Sequence, residues 1–141
     1  MDKCLNLLGL AKKAGCLEIG EESVSVCAER TGARAILSAS DASEGSKRKA
    51  GFLAEEGSIP HIILPYTKAD LSEAVGRGAP GILALTDIGF AASFAAKLAE
   101  MNGEYTEAAQ WLALKQKRAR ERRAAHKAAA GSGKRTGGKG R

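Results

Sequence analysis

Lys47, Arg48 and Lys49 follow closely on a short apolar stretch, Arg34 to Ala39, and a break at Asp41, so three cations stand where a helix opens. Unpaired amides make a helix N-terminus about half a charge positive, and cations in its first turns are each unfavourable by a few tenths of a kcal/mol. Two readings are open. An anion such as a phosphate backbone rests on this edge and compensates, or the cations solvate an exposed helix face.

Other residues with chemical potential are easier to exclude. Gly76-Arg77-Gly78-Ala79-Pro80-Gly81 matches the G-x-G-x-x-G pattern. A dinucleotide fingerprint needs a strand before it and a helix after, whereas here a helix precedes and a strand follows. No G-x-x-x-x-G-K-[ST] element is present. His61 at a strand start and His126 in a basic stretch form no nucleophile and base arrangement, and His61 reads as a satisfied edge residue. Glu21-Glu22 and Glu55-Glu56 are adjacent pairs that diverge by about 100° on a helix and cannot face each other across a substrate. Cys4, Cys16 and Cys27 lack C-x-x-C spacing and a neighbouring histidine, and read as small buried or half-buried thiols. The expectation is a non-enzymatic protein with no catalytic residues, metal, cofactor or small-molecule substrate.

The charge is uneven. Of a net +6, residues 1–103 hold 11 Lys+Arg against 13 Asp+Glu, and residues 104–141 hold 11 against 3. Basicity is a property of the C-terminal part, and it implies an anionic partner, with nucleic acid the first candidate and an acidic membrane surface the second. The tail has no sustained bulky apolar face, which disfavours the membrane. Without a signal-peptide pattern or an apolar run of spanning length, the chain is expected to be cytoplasmic, with reduced cysteines.

These residues need elements to position them. Leu5, Leu7, Leu8, Leu10, Ala11 and Ala14 recur at helical spacing and Gly15 stands at the stop, giving a helix over about 2–14. Cys16 to Ile19 is extended, and Val24, Cys27 and Ala28 mark a second helix ending near Gly32. A strand at 34–39 leads to a third helix over 43–56, with Phe52 and Leu53 inward and Gly57 as its stop. Strand 61–64, helix 68–75 capped by Thr67, strand 81–85 and helix 88–101 capped by Thr86 or Asp87 follow. Short strands alternating with helices, and the apolar runs Ile62-Ile63-Leu64 and Ile82-Leu83-Ala84-Leu85, indicate a sheet covered on both faces. The fold class is α/β with three layers. Residues 104–130 read as a basic helical extension whose first half docks through Ala108, Ala109, Trp111, Leu112 and Leu114. Residues 131–141, a Gly/Lys/Arg tail, read as disordered.

Several ordered motifs now accumulate: Leu8-Gly9-Leu10-Ala11-Lys12-Lys13-Ala14-Gly15, Gly20-Glu21-Glu22, Leu37-Ser38-Ala39-Ser40-Asp41-Ala42-Ser43, Leu71-Ser72-Glu73-Ala74-Val75-Gly76 and Thr86-Asp87-Ile88-Gly89-Phe90-Ala91. Over about residues 3–100 the chain resembles the L-seven-Ae/L-thirty-e ribosomal protein superfamily, and most nearly its bacterial YlxQ-type branch. The resemblance implies a three-layer α/β/α sandwich around a four-stranded mixed sheet, and a surface for bulged RNA of the kink-turn type. That surface maps onto Ile19, Gly20, Glu21, Glu22 and Ser23, onto Asp41 to Lys47 including Ser43, and onto Arg77, Gly78, Ala79 and Pro80. It implies that these segments meet at one end of the sheet, where the cations Lys47, Arg48 and Lys49 also point. Strong kink-turn binders carry Gly-x-Asn-Glu and a later lysine; here Glu22, Ser23 and Val26 stand at the asparagine, glutamate and lysine positions. The Glu22 carboxylate can accept from a guanine amino group, while Glu21 and Glu22 also suit a helix N-terminus for structural reasons.

Lys115, Lys117, Arg118, Arg120, Arg122, Arg123 and Lys127, with Arg135, Lys139 and Arg141 beyond, would neutralise phosphate with little sequence information. Arg118 and Arg122 represent this helix among the expected RNA contacts. Trp111 reads first as a packing anchor and second as a stacking platform. The leading expectation is an RNA-binding protein of translation, partnered by ribosomal or other stable structured RNA, and with it the ribosome or translation factors. The alternative is a protein-interaction module whose tail gives only RNA or ribosome proximity.

Overall fold

The computed structural model describes residues 2–76 and 78–136, with side chains through Ala129. The helices are α1 (Lys3–Lys13), α2 (Glu21–Glu29), α3 (Glu44–Gly57), α4 (Lys68–Val75), α5 (Ile88–Met101) and α6 (Thr106–Thr136), and the strands are β1 (Leu17–Ile19), β2 (Ala35–Ser38), β3 (His61–Ile63) and β4 (Ile82–Leu85). The sheet order is β1-β4-β2-β3, with β4 antiparallel to both β1 and β2 and β3 parallel to β2. This is the expected mixed sheet in an α/β/α sandwich.

Alternation along the two central strands builds the layers. Ala35, Leu37, Leu83 and Leu85 face a large core with Leu8 of α1, Leu71 of α4 and Phe94 and Leu98 of α5. Ile36, Ile82 and Ala84 face a smaller core with Val24 of α2 and Ala50 and Ala54 of α3. Full burial of a leucine or phenylalanine stabilises by roughly 1.5–3 kcal/mol, so the larger core dominates. Tyr66 locks one corner: its hydroxyl donates to Asp2, the N-cap of α1, at 2.7 Å.

Three helices end in the same way. A residue at or just past the cap turns left-handed, and the next amide bonds back five residues, Cys16 to Ala11, Gly32 to Cys27 and Ile59 to Ala54. Only α1 has glycine at the turning position (Gly15, φ 75°); Thr31 (φ 55°) and Ser58 (φ 53°) take it in α2 and α3. α2 thus closes just before Gly32, near where its end was expected, whereas the expected stop Gly57 remains helical and the turn follows it at Ser58. Phe52 is not inward but 58% exposed, because Ala50 and Ala54 occupy the core stripe and position 52 lies about 200° round the helix from 50. Ile63 is also exposed, lying on the edge strand.

At the C-terminus a 3-10 turn, Gly103–Tyr105, precedes α6, which starts at Thr106 rather than Glu104. Tyr105 and Leu112 are buried in the main core, and the Tyr105 hydroxyl donates to the Ile63 carbonyl at 2.9 Å. The first half of α6 therefore belongs to the globular unit. Its backbone stays helical to Thr136, past the expected change to disorder at 131. A helix already nucleated over many turns loses only about 1 kcal/mol for each glycine it passes. Residues 137–141 of the expected tail lie outside the described residues.

Candidate functional site

One end of the sheet carries the segments to which the resemblance pointed. Gly20 has φ 96° and ψ 155°, a backbone conformation reserved for glycine, and its amide donates to the Ile82 carbonyl at 3.0 Å. This fixes the start of α2 against the start of β4. Glu21, Glu22 and Ser23 then emerge exposed in the first turn. Ser43 caps α3 by accepting from the Ser46 amide at 3.1 Å, and Ser46 Oγ donates to Glu21 Oε2 at 3.5 Å, joining the two helix starts. Asp41 accepts from the Lys68 amide at 2.8 Å, and the Ala39 amide donates to the Gly81 carbonyl at 2.9 Å, bringing in α4 and the loop before β4. Gly78 and Ala79 are exposed on that loop; Arg77 lies outside the described residues.

The three cations divide. The helix begins at Glu44, so Lys47, Arg48 and Lys49 fall in its second turn, where the macrodipole has largely faded, and Glu44 supplies a favourable charge in the first. The local conflict expected at the helix opening is absent for that reason. Lys47 is half-buried and its ammonium donates to the Ser40 carbonyl at 3.0 Å, whereas Arg48 and Lys49 are exposed. Val26, at the family's lysine position, is 42% exposed on α2 and lines a shallow 390 Å³ cleft with Glu22 and Ser23.

The titratable groups away from this end are structural. His61 Nε2 pairs with Ser38 Oγ at 2.7 Å, burial holds its pKa below the ordinary value, and Ser38 is itself fully buried. This is the satisfied edge histidine that the sequence suggested. Burial pushes the thiols of Cys4 and Cys27 up, away from thiolate character. Among the described residues there is no group of three or more His, Cys, Asp or Glu placed to hold a metal ion.

Arg118 and Arg122 are elsewhere. α6 runs back along α5, so that Gln116 reaches Gly89 at the start of that helix; a Cβ on Gly89 would lie 3.7 Å from Gln116 Nε2. Beyond that point the helix passes the far end of the sheet, and Arg122 lines a 370 Å³ cleft with Arg34, Ser58, Ile59, Ile88 and Trp111. The candidate residues thus form two groups at opposite ends of the sheet. The sequence reading named Arg34 only as the start of a strand, and it did not show this separation. Nor did it separate Leu112, the fully buried anchor, from Trp111, half-buried with Lys115 Nζ 5.1 Å from its ring centre. The signal was present in the phase of Ala108, Leu112 and Ala119 against Trp111, Lys115, Arg118 and Arg122 on one helix.

A protein named RNA-binding protein YlxQ, from Enterococcus faecium, is 32% identical over 89 residues, 63% of this chain and 84% of the relative. The chain belongs to the YlxQ family. The solved structure of a protein with unknown function from Bacillus halodurans matches with TM-score 0.63 and 29% identity, covering 68% of this chain and 96% of that one. The Giardia lamblia 15.5kD RNA binding protein matches with TM-score 0.55 at 13% identity, covering 72% and 85%, and shares the fold. No protein-family model matches the chain. No helix among the described residues is long and apolar enough to cross a membrane.

Proposed function

We propose that this chain is a non-catalytic, cytoplasmic RNA-binding protein associated with translation or ribosomal RNA. In this reading the end formed by Gly20–Ser23, Ser43–Lys49 and the loop at Gly78–Ala79 rests on structured RNA of the kink-turn kind, and the cations of α6 add phosphate contacts. The observation that carries it is the convergence of those segments, with the Ser46–Glu21 hydrogen bond joining two of them. Support comes from the RNA-binding name of the 32% identical relative. Exposed Gly78 and Ala79 allow a sugar-phosphate backbone to approach closely, and Arg48 and Lys49 are exposed in the second turn of α3. The carboxylates of Glu21 and Glu22 beside exposed Val26 favour a second reading, in which the α2 face binds a protein and RNA contact is through α6 alone.

Binding of the full chain to a kink-turn RNA and to a plain duplex of equal length, followed across a salt series, separates these. The first reading expects preference for the kinked RNA, reduced by the double substitution Arg48→Glu and Lys49→Glu. Equal affinity for both RNAs at every salt concentration would favour the second reading, and failure to bind either would overturn RNA binding itself.

A further inference from the structure

We propose that the far end of the sheet is a second, separate RNA site that takes an unpaired nucleotide, so that one molecule holds two RNA segments at once. The proposal rests on the RNA-binding reading and extends it. Trp111, Lys115, Arg118 and Arg122 are spaced four, three and four residues apart, and at about 100° per residue they fall in a stripe roughly 60° wide on α6. Leu112, Gln116 and Ala119 face the globular unit beside this stripe. The stripe is therefore held at a fixed angle over the cleft instead of swinging with the free part of the helix.

The cleft is built for an aromatic anion. Its 370 Å³ is at the lower end of small-ligand pockets. The indole of Trp111 and the side chains of Ile59 and Ile88 give it an apolar wall, and Arg34, Lys115 and Arg122 line it with cations from two separate chain segments. Lys115 Nζ lies over the indole 5.1 Å from its centre, within cation–π range. A base entering from solvent would take the ring face as a stacking platform and release Lys115 toward the phosphate, a combination characteristic of single-strand binding. A paired base, locked in a duplex stack, cannot enter. The site lies beside the start of α5 and the N-terminal ends of β2 and β3, whereas Gly20 and Ser43 lie at the C-terminal end of β2. A single rigid RNA helix end at the family surface leaves this site open for another strand.

Trp111 is the only tryptophan, so its fluorescence reports on this site alone. The full chain is titrated with an eight-nucleotide uridine oligonucleotide and with a duplex of the same length, alone and after saturation with a kink-turn RNA. The expected result is quenching of Trp111 by the oligonucleotide and not by the duplex, retained when the kinked RNA is bound. Arg34→Glu should weaken the oligonucleotide about tenfold and leave affinity for the kinked RNA unchanged. Kinked-RNA binding without quenching by the oligonucleotide overturns the second site and leaves the proposed function standing. Displacement of the oligonucleotide by the kinked RNA overturns the two-site arrangement in favour of one composite surface. Loss of binding to every RNA overturns both readings.

Discussion

The two ends of the sheet are built on opposite physical plans. At the family end, position comes from hydrogen bonds between elements, Gly20 to Ile82, Ser46 to Glu21, Asp41 to Lys68, and the local charge is mixed, with Glu21, Glu22, Asp41 and Glu44 among Lys47, Arg48 and Lys49. At the far end one helix docked through Leu112 belongs to the segment that holds the excess of positive charge, 11 Lys+Arg against 3 Asp+Glu in residues 104–141, and continues past the cleft with residues 123–129 all exposed. The first plan suits recognition of shape, because its groups are fixed and its field is weak. The second suits long-range attraction, because its field is strong and its contacts are interchangeable. Affinity and preference should accordingly be separable by mutation.

The largest effect follows from that separation. Replacing Lys117, Arg120, Arg123 and Lys127, exposed on α6 away from the stripe of Trp111 and Arg122, by Gln should lower affinity for kinked and duplex RNA together, and reduce the dependence of log K on log salt by about three to four. With about six phosphates neutralised, the parent chain should itself lose roughly a thousandfold in affinity between 50 and 200 mM salt. Anisotropy titrations at several salt concentrations measure both. A substitution set that changed the kinked-to-duplex ratio as strongly as the absolute affinity would break the comparison, since the far end would then be reading shape.

Next in size is the anchor. Leu112→Ala removes a fully buried side chain from the main core and should destabilise the fold by about 2–5 kcal/mol in urea unfolding. Trp111→Ala, at a half-buried position beside it, should have the smaller effect on stability. The reverse order would make Trp111 the packing anchor and weaken its assignment to a nucleotide. Truncation after Gly103 is a poor substitute for either, because it also removes Tyr105 from the core.

A gain of function sharpens the family end. Glu22→Asn, Ser23→Glu and Val26→Lys together restore the Gly-x-Asn-Glu and lysine pattern on an exposed helix face, where no core residue is disturbed. One well-placed base contact is worth about 1–3 kcal/mol, so preference for kinked RNA should rise by at least about fivefold. An unchanged preference would mean that the start of α2 does not touch RNA.

Periodicity carried most of this architecture, and the places where it failed share a cause. Helix α5 could be read to the residue because Asp87 caps it, accepting from the Phe90 amide, and its apolar face is unbroken. Helix α4 could be read because Thr67 and Asp70 form a reciprocal capping box. Glycine is a weaker guide at the ends of α2 and α3, where the left-handed turn falls on Thr31 and Ser58, next to Gly32 and Gly57 and not on them. Phe52 was drawn inward by its type, although two alanines already filled the stripe against the sheet. For the site, the motifs located the family end well, but they are silent on direction. That α6 folds back along α5 and carries Arg118 and Arg122 to the opposite end is decided by the turn at Gly103–Tyr105 and the burial of Leu112. No local spacing encodes that path.

The smallest expected effect concerns the edge between the two ends. His61 is held neutral by burial beneath α3, with Ser38 as its partner, and its pKa in the fold lies below the ordinary value near 6.5. On acidification the unfolded chain therefore takes up this proton before the folded chain does. Stability is independent of His61 above about pH 7.5, declines as pH falls through 6.5, and levels only below the depressed folded value. His61→Gln keeps a hydrogen-bonding group toward Ser38 and removes the titration, so its urea midpoint should be flatter between pH 7.5 and about 5.5 than that of the parent chain. RNA preference at the family end should not change with the substitution, because β3 is the edge strand beyond β2 and none of the candidate contacts there bonds to His61. If both stability and kinked-RNA preference moved together with pH in the parent and neither did in His61→Gln, the two ends would be coupled through this strand rather than independent.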